Sequence, residues 1–267
     1  MLSRTAIDNI GARLRNDSAD MAALAELALF RNQVANRTQG AFDAVVAHTT
    51  SLASARNGKS NRSIIEKLLR QKSLKLSQMQ DVEGCRVIVD SLIEQDALAS
   101  RLHAVFNEVA VYDRRASPSY GYRALHLVPR LMGERYEIQI RTRLQHAWAE
   151  VAERLAGRFG QALKYGGGDD FLRNVLSEYS TEIAQIEIEE SIIFAAWTGR
   201  ELTNEELDII VRSYPRDEED APEDQAALVS AIHDNYDDPA IQRQLYRKVL
   251  DHKQSSQQSL LEILRGT

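Results

Sequence analysis

The run of residues 136–142 places an acid, an amide and a base at alternating positions. Glu137, Gln139 and Arg141 alternate with apolar side chains, so a strand with period two puts the three polar groups on one face. Charged groups on a sheet surface need partners or water. The pattern therefore predicts a half-buried strand whose polar face meets something charged.

Two further segments place reactive side chains beside predicted strands. Residues 121–126 are typical of a turn that feeds a strand, with Tyr122 and His126 on one face. Residues 81–90 predict another strand, entered through Asp81 and a glycine turn. Together with the first run, these segments offer two acids, an aromatic ring and an imidazole for chemistry on a sheet.

With Lys59 and residues 62–67, these segments resemble the synthetase domain of the RelA/SpoT family. The resemblance covers roughly residues 52–165, and it rests on four separated blocks in the family's order, each weak by itself. It implies an α/β (α+β) fold, in which a mixed β-sheet, nucleotidyltransferase-like synthetase domain is flanked by N- and C-terminal helices.

The resemblance implies a small single-function enzyme that transfers the β,γ-pyrophosphate of ATP to the 3′-hydroxyl of GDP or GTP, which makes a (p)ppGpp-type alarmone. It also implies Mg²⁺ held by Asp81 and Glu137, with Glu137 polarising or deprotonating the acceptor hydroxyl. The residues alone leave alternatives open. Asp81 also fits the end of a helix or turn, and Glu137 also fits an ion pair with Arg141.

The resemblance assigns the ATP side to five residues: Arg56, Lys59, Ser63, Lys67 and Arg86. Ammonium groups act as point charges on phosphates, whereas guanidinium planes stack on rings. The family usually has an arginine two residues before the lysine matched by Lys59, but here that position is Asn57, so Arg56 is expected to serve. Lys67 and Arg70 also fit a solvated helix face.

The acceptor side is expected to comprise Tyr122, His126, Gln139, Arg141, Arg114 and Arg115. By resemblance, Tyr122 stacks on the acceptor base and His126 faces its phosphates or sugar. Tyr122 also fits a packing ring. The preceding loop is shorter than the family's usual form, and Ser119 replaces a lysine that often follows its proline. We expect the two loop arginines to compensate.

This altered loop leaves the acceptor open among GDP, GTP, ATP and tRNA. One alternative function is that of toxic relatives that pyrophosphorylate the 3′ end of tRNA. A second is a non-catalytic nucleotide-binding module, against which the joint presence of Asp81 and Glu137 argues. The sequence leaves the oligomeric state open, so that a homo-oligomer and a neutralising protein partner are both compatible with it.

Charge is divided unevenly along the 267 residues, whose net charge is −6. Residues 56–143 hold 16 Lys and Arg against 10 Asp and Glu, whereas residues 166–267 hold 9 against 22. A basic middle that coincides with the motif blocks indicates phosphate-bearing ligands. No apolar run suits a membrane span and the first residues lack a signal-peptide block, so a cytoplasmic protein is expected. The single cysteine, Cys85, is expected to pack in the core.

Periodicity and turn residues predict three regions: N-terminal helices over 1–50, the synthetase domain over 51–165 and an acidic helical region over 166–267. Two helices are expected in the first region. Further helices are predicted over 61–72 with Ser60 or Asn61 as N-cap, 92–106, 143–158 and 170–197. Strands are predicted near 84–90, 107–113, 123–131 and 135–142, with the last two joined through residues 132–134.

Overall fold

The computed structural model describes residues 1–56, 58–198 and 239–266. The described helices are α1 Arg4–Asn16, α2 Met21–Arg37, α3 Ala41–Val46, α4 Asn61–Arg70, α5 Leu92–Val105, α6 Arg143–Phe159, α7 Asp170–Thr198 and α8 Pro239–Gly266. The strands are β1 Leu52–Arg56, β2 Gly84–Val89, β3 Ala110–Asp113, β4 Leu125–Val128, β5 Arg130–Leu131, β6 Glu134–Arg135 and β7 Glu137–Thr142. Single 3-10 turns lie at Leu76–Gln78 and Gln161–Tyr165.

Five strands form one sheet in the order β1-β2-β7-β4-β3, so β7 is its central strand. A central strand is covered on both faces when helices pack on the sheet. All six residues of β7 are accordingly buried, including Glu137, Gln139 and Arg141. The predicted mixed α/β fold with flanking helices is confirmed, but the prediction of a half-buried strand is wrong.

The chain forms two compact units. The first comprises Met1–Val87, Leu98–Tyr112 and His126–Ile140, and the second comprises Ile88–Ala97, Asp113–Leu125 and Arg141–Thr267. The core of the first unit includes apolar side chains from α1, α2 and α4, among them Ile10, Leu27 and Ile64, each fully buried. The predicted division into three regions stays a prediction, and residues 199–238 of its acidic region lie outside the described part of the chain.

Three helices make the core of the second unit: α6, α7 and α8. Trp148 of α6 is buried there, and its indole nitrogen donates to the carbonyl oxygen of Leu176 in α7 at 2.8 Å. Leu260 of α8 packs in the same cluster. The indole hydrogen bond satisfies a buried donor, so α6 and α7 are held in a defined register.

Local patterns predicted most element boundaries within one to three residues. Ser60 caps α4 as expected, because its hydroxyl accepts from the Ser63 amide at 3.2 Å. The β5–β6 hairpin turns at Met132 and Gly133, which both have positive φ as a two-residue primed turn requires. The N-terminal region has three helices rather than two, and β1 was not predicted.

Among the described helices, none combines the length and the apolar character needed to cross a lipid bilayer.

Candidate functional site

Asp81 in the first unit binds two lysines. Its Oδ2 accepts from Lys59 Nζ at 2.9 Å and its Oδ1 from Lys67 Nζ at 2.8 Å. Lys67 lies on α4, one turn after the buried residue Ile64. The backbone at Lys59 is fixed because its amide donates to the Val82 carbonyl oxygen at 2.8 Å. The Asp81 side chain therefore neither caps a helix nor ends a turn. It forms ion pairs with two lysine ammonium groups.

Glu137 in the first unit is 7% exposed and has three polar partners. Its Oε2 accepts from Arg56 at 2.5 Å and from Gln139 Nε2 at 2.8 Å. Its Oε1 lies 3.2 Å from His126 Nδ1. The bond to Gln139, two residues along β7, confirms that these side chains share one face.

Both carboxylates are ionised at neutral pH. Burial alone would raise the pKa of Asp81, but the charges of Lys67 and Lys59 outweigh it and hold that pKa below its usual range. Burial also opposes the charge on Glu137, but His126 and Arg56 hold the pKa of Glu137 well below its usual range. The negative charge of Glu137 acts on Asp81 in the raising direction, so the two acids share one electrostatic environment.

Gly84 sets the approach of the backbone to Glu137. A Cβ atom at residue 84 would lie 2.3 Å from the Glu137 carbonyl oxygen. The Glu137 amide donates to the Glu83 carbonyl oxygen at 3.0 Å, so β2 and β7 meet closely at this point. A glycine at a strand position indicates such an approach. Gly84 begins β2, in agreement with the strand predicted near 84–90.

Gly84→Ala is expected to lower the free energy of unfolding by about 1–3 kcal/mol, because the added methyl group overpacks the β2–β7 contact. Denaturant unfolding measures this change. Gly157→Ala is the control, since no atom lies within 4 Å of its ideal Cβ and alanine is favoured over glycine inside a helix. Equal stability of Gly84→Ala and the wild type would contradict the close approach.

Tyr122 and Arg141 contact each other in the second unit. The Tyr122 hydroxyl accepts from Arg141 Nη2 at 2.8 Å and from Nε at 3.3 Å. The guanidinium carbon lies 4.9 Å from the ring centroid, within the range of a cation–π contact. Arg141 thus contacts Tyr122, while Glu137 is bonded to Arg56, His126 and Gln139. Tyr122 also packs against the second unit's core.

The two loop arginines differ sharply. Arg114 is exposed, whereas Arg115 is 3% exposed and pairs with Asp113 at 2.7 Å and with Asp96 at 2.8 Å. Its guanidinium also donates to the buried side chain of Gln95 at 3.3 Å. These ion pairs join a buried guanidinium group to two partly exposed carboxylates. These contacts tie the loop to the start of α5, and the expected role of Arg115 at an acceptor stays a prediction.

Three other predicted residues lie in the first unit. Ser63 is in the first turn of α4 and its hydroxyl accepts from that of Ser60 at 2.9 Å. Arg86 is a partly buried residue of β2. Cys85 is fully buried and burial raises its pKa to about 11, which confirms core packing and keeps the thiol protonated. Asn57 lies outside the described residues.

Arg123, Ser180 and Glu187 are among the buried polar residues of the second unit that sequence reasoning missed. Arg123 donates to the Arg115 carbonyl oxygen at 2.5 Å and to Ser180, and Glu187 accepts from the Thr142 hydroxyl. Ser180 and Glu187 carried no signal because a single polar residue in a long helix predicts solvent exposure. Arg123 did carry a sequence signal, because it is a charged residue between Tyr122 and the apolar strand that follows.

Across the described residues, no group of three or more His, Cys, Asp and Glu side chains could hold a metal ion. Asp81 and Glu137 nevertheless supply two ionised carboxylates in one electrostatic environment. Mg²⁺ is commonly held by one or two carboxylates together with substrate phosphates and water. The donor set fits a magnesium ion that reaches the protein with a phosphate ligand.

Residues 56–158 match the model of a region found in RelA / SpoT proteins. Uncharacterized proteins of Mycobacterium tuberculosis and Mycobacterium bovis are each 34% identical over 169 residues, which covers 61% of this chain. The chain spans 62% of the length of these curated relatives.

Solved structures of two small alarmone synthetases from Bacillus subtilis are also similar. Synthetase 1 has a TM-score of 0.49 and 21% identity, and the match covers 66% of this chain and 98% of that chain. Synthetase 2 has a TM-score of 0.41 and 23% identity, with 61% and 89% covered. The family match lies inside the interval of roughly 52–165 predicted from the motif blocks, and residues 56–158 of this chain are similar to the region that RelA/SpoT proteins share.

Proposed function

We propose that this protein transfers the β,γ-pyrophosphate of ATP to the 3′-hydroxyl of GDP or GTP. The observation that carries the proposal is the pair of ionised carboxylates, Asp81 and Glu137, each bound to cationic side chains in a segment of RelA/SpoT type. Phosphoryl chemistry relies on positioning and on stabilising charge, with few covalent steps for the protein itself. Clustered cations beside ionised carboxylates suit that task.

The ATP phosphates are proposed to bind beside α4, between Lys59 before the helix and Lys67 in its last turn. Lys59 and Lys67 provide two ammonium groups, and Ser63 adds a hydroxyl in the first helical turn. Amide groups at a helix N-terminus attract anions. Arg86 and Arg56 are proposed to contact the adenine, since guanidinium planes stack on rings. Arg56 has a second role, because it already neutralises Glu137.

Magnesium is proposed to bind Asp81 and Glu137 together with ATP phosphate. When bound, it would neutralise phosphate charge as the pyrophosphoryl group moves. Lys59 and Lys67 now compensate the charge of Asp81. The lysines can therefore exchange between the carboxylate and incoming phosphates without leaving a buried charge unpaired.

Glu137 is proposed to orient and polarise the acceptor hydroxyl. A carboxylate whose pKa lies well below its usual range is a weak base, yet it stays charged and accepts a hydrogen bond at neutral pH. His126 and Gln139 fix its two oxygens. This environment favours polarisation of the hydroxyl over full removal of its proton.

Tyr122 and Arg141 are proposed to recognise the acceptor, with the ring stacked on the base. Arg114 is the exposed cation of the preceding loop, whereas Arg115 is committed to Asp113 and Asp96. Long nucleic acids require several cations along their backbone. The burial of Arg115 removes one such cation, which supports a mononucleotide over the 3′ end of tRNA.

The products of ATP test this function. Pyrophosphoryl transfer leaves AMP, whereas hydrolysis or transfer of a single phosphoryl group leaves ADP. Incubation with Mg²⁺, ATP and GDP or GTP should yield AMP in equal amount to a 3′-pyrophosphorylated nucleotide. ADP as the sole adenine product, or AMP without a modified acceptor, would count against the proposal.

Tyr122→Ala is expected to weaken acceptor use by about 1–3 kcal/mol, the contribution of one stacked base, with little change in ATP binding. Tyr122→Phe is the matched control, because it keeps the ring and removes the hydroxyl that accepts from Arg141. KM values for GDP and ATP, measured separately, distinguish the two contributions. If Tyr122→Ala raises both KM values alike, the ring serves packing and not recognition.

A further inference from the structure

Helix α7 presents buried polar side chains on one face, and two of them, Ser180 and Glu187, bind other elements. Ser180 and Glu187 are both 3% exposed and lie seven residues apart, which is close to two helical turns. Both side chains are engaged by other elements of the second unit. This helix lies beyond residues 56–158, the part of the chain that matches the family model.

Ser180 binds both neighbours of Tyr122. Its hydroxyl donates to the Gly121 carbonyl oxygen at 2.7 Å and accepts from Arg123 Nε at 3.0 Å. Gly121 has φ 84°, and a Cβ there would lie 2.7 Å from the Trp148 ring. The segment that carries Tyr122 is therefore fixed between α6 and Ser180.

Glu187 binds the residue that follows Arg141. The Thr142 hydroxyl donates to Glu187 Oε1, and Gln145 Nε2 donates to Oε2 at 2.9 Å. Thr142 is also the N-cap of α6, because its hydroxyl accepts from the Gln145 amide at 3.1 Å. The end of β7 and the start of α6 are thus held at one carboxylate.

We propose that α7 positions the acceptor-recognition pair, with Ser180 fixing the segment of Tyr122 and Glu187 fixing the segment of Arg141. The proposal rests on the proposed function, because it takes Tyr122 and Arg141 to be the residues that meet the acceptor. Because Tyr122 and Arg141 contact each other directly, the distance between the backbone segments that carry them must stay fixed. Small displacements of groups that orient a substrate cost large factors in rate. Ser180 and Glu187 are positioning residues that touch no substrate.

Ser180→Ala is expected to raise the KM for GDP about tenfold while the KM for ATP stays within about twofold. Ser191→Ala is the matched control. Ser191 is also 3% exposed on α7, but its hydroxyl donates to the Glu187 carbonyl oxygen of its own helix at 2.9 Å. Equal changes in both KM values, or the same response from Ser191→Ala, would overturn the proposal.

Hydrogen exchange tests the positioning without reference to activity. In Ser180→Ala the amides of residues 119–124 should exchange faster than in the wild type and in Ser191→Ala. Glu187→Gln should accelerate exchange at residues 141–145, because Thr142 and Gln145 bind different oxygens of Glu187 and the amide nitrogen that replaces one oxygen cannot accept a hydrogen bond. Unchanged exchange in both segments would refute the role of α7. If the wild-type protein shows no transfer activity, the proposed function is refuted instead. The hydrogen-exchange result still tests whether α7 positions the two segments.

Discussion

Glu137→Gln is expected to lower the rate of pyrophosphoryl transfer by about 10²- to 10⁴-fold while ATP affinity stays nearly unchanged. The substitution keeps the size and one hydrogen-bond acceptor but removes the negative charge. Arg56 and His126 both face that charge. Without it, the acceptor hydroxyl loses the group that polarises it.

Glu134→Gln is the matched control for this measurement. Glu134 lies in the same unit, its side chain is 13% exposed, and it pairs with Arg37 at 3.2 Å. Glu134→Gln removes this charge, so it measures the general effect of losing a partly buried carboxylate that pairs with an arginine. Steady-state turnover and ATP titration of both variants are required. Turnover of Glu137→Gln within a few-fold of the wild type would remove Glu137 from the mechanism.

Asp81→Asn is expected to abolish most turnover, by about 10³-fold or more, and to raise the Mg²⁺ concentration needed for the residual activity. Asparagine retains the size of the side chain but leaves Lys59 and Lys67 facing each other without a carboxylate between them. ATP binding measured without Mg²⁺ is expected to change little or to strengthen, because the two lysines are released for phosphates.

Asp8→Asn serves as the control for Asp81→Asn. Asp8 is a partly buried acid of the same unit whose carboxylate accepts from the Ser77 amide at 3.1 Å, far from any predicted motif in the sequence. Asp8→Asn should leave the dependence of turnover on Mg²⁺ concentration unchanged. If Asp81→Asn loses activity with the wild-type Mg²⁺ requirement, Asp81 acts on the lysines alone and not on a metal.

The sequence predicted most of the elements because their signals are local. Ser60 before α4 and the Met132–Gly133 turn act over a few residues, and both were placed correctly. The burial of β7 is not local. Alternation shows that Glu137 and Gln139 share a face, but only the elements that pack on the sheet decide whether that face is covered.

The candidate site divides in the same way. Motif blocks drew attention to Asp81 and Glu137, yet residue spacing could not show that Arg56 would reach Glu137 from a strand that had not been predicted. Adjacent in sequence, Arg114 and Arg115 look equivalent. Arg115 differs because it pairs with Asp113 and with Asp96 of α5, and no local sequence pattern contains the contact with Asp96.

Transfer of label from γ-labelled ATP tests the central claim most directly. GDP, GTP, ATP and deacylated tRNA should be offered separately, each across a salt series, with Glu137→Gln as the blank. We expect label on GDP or GTP, with a shallow salt dependence because a mononucleotide neutralises few phosphates. Label on tRNA alone, falling steeply with salt, would contradict the proposed acceptor, and label on none of the four would contradict the enzymatic function itself.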